Sequence, residues 1–271
     1  MNNTFDFNRF SKVLVNDLRK AWQNYGPSFL ILVLMPVIYL LMYGILPMIF
    51  GAGWQIAEKY SRLGVMVLCG AVFIITFPQS VYGKITEKRY GSDYLMLPAS
   101  TLEKYVAMIL NCGLIAPLAF LVGYLSVDAL VAGLGIVSGG SLFSLINSSV
   151  VMHNDTFISV DIWQLSIIYL SVYLLVFLLG AIYFKKHKVV MTILSLFALS
   201  VVFSAIASPI MMHAVNNGKF LGITPDGFVT WMENHANHIG FYINFVIDFF
   251  LMVDYLIVGG LIYLRMKTLK H

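Results

Sequence analysis

Residues 129–154 read ALVAGLGIVSGGSLFSLINSSVVMHN and hold no charged side chain. This stretch decides the fold, because counting it as a membrane crossing reverses the orientation of everything after it. Six other apolar runs reach or approach the ~20 residues a helix needs to cross a ~30 Å hydrocarbon core. They lie near 28–50, 63–83, 105–125, 162–184, 189–212 and 241–264.

Lysine and arginine favour the cytoplasmic side of a membrane, and their placement tests both counts. With six spans and both termini inside, the inner segments hold Arg9, Lys12, Arg19, Lys20, Lys84, Lys88, Arg89, Lys104, Lys185, Lys186, Lys188, Arg265, Lys267 and Lys270. Only Lys59, Arg62 and Lys219 fall outside, which accounts for all 17 basic residues. A seventh span over 129–154 moves KKHK (185–188) outside and leaves nine against eight, so the asymmetry disappears. The Gly- and Ser-rich segment 126–161 therefore reads as an outer excursion, partly re-entrant at most. The fold class is all-α: a polytopic membrane protein of six helices in a single domain over 1–271.

Composition agrees. The chain is 59% hydrophobic and 11% charged, with a mean hydropathy of +0.84, against about 25% charge in soluble domains. Trp22, Trp54, Trp163 and Trp231 all fall near span ends, where an amphipathic ring suits the headgroup layer. Cys69 and Cys112 sit inside apolar runs and suggest neither a disulfide framework nor a metal site. The polar first 26 residues suggest no cleavable signal, and the first apolar run reads as an uncleaved anchor.

Ahead of that run, Phe7, Phe10, Leu14, Leu18, Ala21 and Tyr25 recur at steps of three and four. Arg9, Lys12, Asn16, Arg19, Lys20 and Gln23 fill the other face. This pattern predicts an amphipathic elbow helix over 1–26, lying in the inner headgroup layer and turning into the bilayer at Gly26–Pro27. It serves as a surface anchor, and it is also placed to frame a docking surface.

The loop between spans two and three, KITEKRYGSDYLMLPASTLEK (84–104), has two halves. Ser100 and Glu103 form an S-x-x-E capping box with Pro98 upstream, which starts the third helix. The middle places Tyr90, Tyr94, Leu95, Met96 and Leu97 among Glu87, Lys88, Arg89 and Asp93. An exposed apolar cluster rimmed by charge is what a docking knob presents; the plainer alternative is a loop resting on the inner membrane surface. A charged loop after span two that enters span three through LPASTLEK (97–104) resembles type-2 ABC transporter permeases. That resemblance implies a six-span bacterial inner-membrane subunit, working as a homo- or heterodimer with a separate ATPase. It also implies that the 84–104 loop is the coupling element, with Glu87, Lys88, Arg89, Tyr90, Asp93 and Tyr94 facing the ATPase.

No G-x-x-x-x-G-K-[ST] loop occurs, so the chain has no phosphate cradle of that kind and reads as a non-enzyme without cofactor. VSGGS (137–141) resembles an ATPase signature only by coincidence. Asp248 and Asp254 fall in the last apolar run, about 240° apart around a helix. Each reads either as a carboxylate on a substrate or proton path, or as a neutral acid hydrogen-bonded to a neighbouring helix or sitting at a subunit contact. In ENHANH (233–238), Glu233, His235 and His238 lack the further ligands a metal site needs. Pro36, Pro78, Pro117 and Pro209 predict tolerated kinks. Sequons at Asn147 and Asn154 matter only in a eukaryotic secretory route. Nothing suggests a nucleic-acid patch.

Three function classes follow: an ABC permease exporting an amphipathic substrate, a secondary transporter or channel using Asp254, and a non-transporting membrane scaffold or sensor. The absence of an evident inverted repeat weighs against the second.

Overall fold

The computed structural model describes residues 5–52, 56–86, 94, 96–135, 137–145, 162–216 and 236–268, with the side chains of 145, 162–167, 210–216, 236–244, 246 and 247 left aside. Among these residues all regular structure is helical. The helices are α1 (Phe7–Val33), α2 (Met35–Ile49), α3 (Lys59–Tyr82), α4 (Thr101–Leu110), α5 (Ala116–Gly133), α6 (Ile162–Tyr183), α7 (Lys188–Asn216) and α8 (Ala236–Thr268). A π-turn, Asn111–Ile115, joins α4 to α5 into one rod. By length and composition, five stretches could each cross a membrane: Phe7–Ile49, Lys59–Thr86, Thr101–Gly133, Lys188–Pro209 and Asp248–Thr268. In α6 the stretch Ile168–Tyr183 is apolar but shorter.

The elbow differs from the expectation. The chain does not leave its first helix at Gly26–Pro27, because α1 runs through Pro27 to Val33 and breaks at Leu34. Pro27 removes one hydrogen bond, whereas Pro36 stands at the start of α2, where its missing N–H is needed least. Leu34 takes the break, and the N–H groups of Val37 and Ile38 both donate to its carbonyl.

Pro117 acts on the rod in a related way. It lacks the N–H that would bond the Gly113 carbonyl, and the turn before it widens so that Ala116 N–H reaches back to Asn111 O. The wide turn brings Gly113 against α8, where an added Cβ would lie 2.5 Å from the Tyr255 hydroxyl.

The core gathers around α6, whose Leu174, Leu175, Leu178, Ala181 and Ile182 are all buried. Against it, Phe73 of α3 stacks on Phe120 of α5 with centroids 4.8 Å apart, and Tyr25 of α1 meets Phe77 edge-on at 5.4 Å. In contrast, α7 turns most of its apolar side chains outward, Phe197, Leu199 and Phe203 among them. It touches α6 closely at Gly180, where an added Cβ would collide with Thr192 Oγ1 and fall 2.9 Å from Thr192 Cβ. Gly180→Ala is expected to destabilise the chain by about 1–3 kcal/mol through overpacking, read as a lower melting temperature in detergent. An unchanged melting temperature would mean that α7 does not sit this close.

The end opposite Asp17 is closed by a buried ion pair. Arg62 Nη1 lies 2.6 Å from Asp128 Oδ1, with the side chains 1% and 0% exposed. The same guanidinium donates to the carbonyls of Ser138 and Gly140, and Asp128 Oδ2 accepts the Leu142 N–H at 2.7 Å. Residues 137–145 therefore fold back on the ends of α3 and α5. Because Asp128 is paired, α5 continues to Gly133, eight residues past the expected end of that span.

Candidate functional site

The site lies where α1 crosses the ends of α3 and α4. Its buried stripe is Phe10, Val13, Asp17, Ala21 and Tyr25, one row around the helix from the expected line through Leu14 and Leu18. Phe10 and Val13 pack with Ala107 of α4, and Tyr25 packs into the main core. An acid thus occupies the middle of an otherwise apolar row.

Asp17 is 1% exposed and shares a chain of hydrogen bonds. The Asn111 amide donates to the Tyr82 hydroxyl at 2.9 Å, and the Tyr82 hydroxyl donates to Asp17 Oδ2 at 3.3 Å. The Tyr94 hydroxyl approaches the same oxygen at 3.5 Å. These four residues come from α1, the end of α3, the 84–104 loop and the π-turn. The wide turn at Asn111 is what aims its amide at Tyr82, and π-turns concentrate at functional positions. Burial pushes the Asp17 carboxyl up to about 6, against the two tyrosine hydroxyls and the Lys20 ammonium that favour its charge. Burial, and then the neighbouring Asp17 charge, holds the Tyr94 hydroxyl well above the usual phenol range. The ammonium groups of Lys20 and Lys104 lie 6.0 and 5.9 Å from the Tyr94 ring centroid.

A second link joins the two helix starts. Ser100 Oγ accepts the Glu103 N–H at 3.2 Å, and Glu103 Oε2 accepts the Ser100 N–H at 2.8 Å, which completes the capping box. The other carboxylate oxygen is used as well: Glu103 Oε1 accepts the Asp6 N–H at 2.9 Å and pairs with Arg9 Nη2 at 3.3 Å. One glutamate therefore closes the start of α4 and clamps the start of α1 to it. Burial alone would raise its carboxyl, but the Asp6 and Ser100 N–H groups and the Arg9 guanidinium outweigh that and hold it below the usual range. The same end is laced further: Lys188, at the start of α7, donates to the Gly83 carbonyl at the end of α3.

Of the six residues expected on an ATPase-facing surface, Glu87, Lys88, Arg89, Tyr90 and Asp93 lie outside the described residues. Tyr94 turns inward, is 5% exposed and packs in the main core. Met96 stands outward, while Leu97 packs on the core. Asp248 is half-buried, and Asp254 is exposed on the outer face of α8, not turned into the bundle of this protomer. Neither has an ion-pair partner among the described residues. The ENHANH side chains lie outside the described set, and within it no three of His, Cys, Asp and Glu gather at metal-binding distance.

Asp17, Asn111 and the Arg62–Asp128 pair were not singled out from the sequence. Asp17 had a signal, since it lies four residues after Val13 and four before Ala21. The other three depend on long-range packing that no local pattern encodes. No protein-family model, no curated protein and no solved structure matches this chain.

Proposed function

We propose that this chain is the transmembrane subunit of a transporter driven by a separate ATPase, in the manner of type-2 ABC permeases. In this reading it has six spans and two cytoplasmic termini in a bacterial inner membrane, and it pairs with a second permease subunit. The observation that carries the proposal is the joint among α1, the 84–104 loop and α4, tied by Asp17, Tyr82, Tyr94, Asn111 and Glu103. A partner pressing on the loop would push a buried, hydrogen-bonded joint and not a loose connection. The third span, continuous with that joint through the Ser100 cap, would carry the displacement into the bilayer as a rigid rod. Asp254 does not line an interior path in the protomer, which disfavours a carboxylate-driven carrier working as a single chain.

The test is gentle detergent extraction from the native cell, followed by identification of what co-purifies. The expected result is a stoichiometric ATPase, with recovery cut about tenfold by Glu87→Ala combined with Arg89→Ala, which corresponds to ~1.4 kcal/mol. Repeated purification of a folded chain with no ATPase would overturn the reading.

A further inference from the structure

At the end that carries Asp17, α6, α7 and α8 enclose a groove of about 510 Å³. Its walls are apolar, with Val176 and Leu179 from α6, Leu196 and Leu199 from α7, and Leu261 and Leu264 from α8. Arg265 stands at its mouth, half-buried, with its guanidinium 5.3 Å from the Tyr183 ring centroid and its Nε 3.5 Å from the Ile182 carbonyl. These contacts hold the group in place without neutralising it. Lys185, Lys186 and Lys267 are exposed nearby in sequence. The chain contains no Asp or Glu from 162 to 216 or after 254, so these segments supply no counter-charge to the arginine.

Depth says what fits. On α7 the lining runs seven residues, from Thr192 to Leu199, about 10 Å along a helix. Half of a ~30 Å hydrocarbon core is about 15 Å. The groove therefore fits within one leaflet, apolar below and cationic at the rim, and basic recesses between helices on the cytoplasmic side suit anionic headgroups. Polypeptide is a poorer occupant, because its backbone would bring unpaired N–H and C=O groups into an apolar slot.

We propose that this groove is a binding site for an anionic phospholipid of the inner leaflet, with an acyl chain between α7 and α8 and the headgroup phosphate on Arg265. The proposal rests on the membrane reading of the helices and not on coupling to an ATPase, so either can fail without the other.

The experiment uses the full-length purified chain, delipidated in detergent and titrated with dioleoylphosphatidylglycerol or dioleoylphosphatidylcholine. Retained lipid is read by native mass spectrometry. The wild-type chain is expected to hold phosphatidylglycerol at least about tenfold more tightly than phosphatidylcholine, a difference of ~1.4 kcal/mol. Arg265→Gln is expected to erase that preference and Arg265→Lys to keep most of it. Leu196→Trp, which fills the slot, is expected to reduce retention of both lipids. Inorganic phosphate at the same concentration is expected not to compete, which separates a lipid from a free anion. Equal retention of the two lipids by the wild-type chain would overturn the proposal with no variant needed. So would undiminished binding in Leu196→Trp, competition by phosphate, or a dimer that forms through the groove and is insensitive to added lipid.

Discussion

Asp128→Ala is expected to be among the most damaging single changes in the chain, costing about 3–5 kcal/mol. The Arg62 guanidinium would remain 1% exposed with its carboxylate gone, and an uncompensated buried charge is far costlier than a lost contact. Thermal unfolding in detergent, followed by circular dichroism at 222 nm, measures it. At about 2–4 °C per kcal/mol for a chain of this size, the midpoint should fall by roughly 6–20 °C. Removing both charges, as Arg62→Met with Asp128→Leu, is expected to recover most of that loss, because no orphaned ion remains. The double variant should not restore the loop, since Leu142 N–H and the carbonyls of Ser138 and Gly140 lose their partners too. Hydrogen exchange at 138–142 should stay fast even where the helices regain protection. If single and double variants melt alike within 1 °C or so, the pair is not buried in the folded protein.

Asp17→Asn tests a second buried acid, with the opposite sign. A carboxyl raised from 3.8 to about 6 binds its proton more tightly in the folded state than in the unfolded state. Folding therefore loses stability as pH rises from about 4 to about 6, and above that the penalty is complete. A shift of that size amounts to roughly 3 kcal/mol. Asparagine keeps an oxygen for the Tyr82 hydroxyl and carries no charge. The variant should thus match the wild-type chain near pH 4, where Asp17 is neutral, and exceed it by up to about 3 kcal/mol at pH 7.5. Paired melting curves at the two pH values decide the matter, and an Asp17→Asn chain less stable than wild type at pH 7.5 would show that the ionised form is the favoured one. Glu103 acts in the reverse direction, since its depressed carboxyl contributes stability that is lost as pH falls through its folded value. The Asn variant isolates Asp17 from that background, because Glu103 is common to both chains.

The apolar runs located most of the helices, because a membrane helix must satisfy its own backbone and therefore advertises itself by length and hydropathy. Ser100 and Glu103 were legible for a similar reason, since a capping box is a local pattern four residues long. Helix ends were not. Asp128 lies past the expected end of the third span, yet its charge is cancelled by Arg62 from 66 residues away, and α5 runs on. The elbow was legible as a helix with Phe10, Ala21 and Tyr25 on its buried face, but a row drawn through apolar residues skips the buried Asp17 between them. The helix α6 is apolar all round, so nothing in its sequence says that Leu174 and Leu178 are central while the equally apolar Phe197 and Phe203 of α7 face outward. Tyr94 shows the same limit at the site, because a tyrosine among charges reads as exposed until its hydroxyl is found beside Asp17.

The clamp on the first helix also sets an order of events during synthesis. Asp6 and Arg9 meet a glutamate 97 and 94 positions later, and Asp17 waits for Tyr82, Tyr94 and, through Tyr82, for Asn111. At about 5–20 residues per second, the ribosome needs roughly 5–20 s to pass from Asp17 to Asn111. Until Tyr82 and Tyr94 have followed, the amphipathic helix lacks the hydrogen-bond donors of its acid, and until Asn111 has followed its chain of bonds is incomplete. Its seating is therefore a late step, taken once the third hydrophobic segment has left the exit tunnel, and a nascent chain stalled before that point should carry its N-terminal helix undocked.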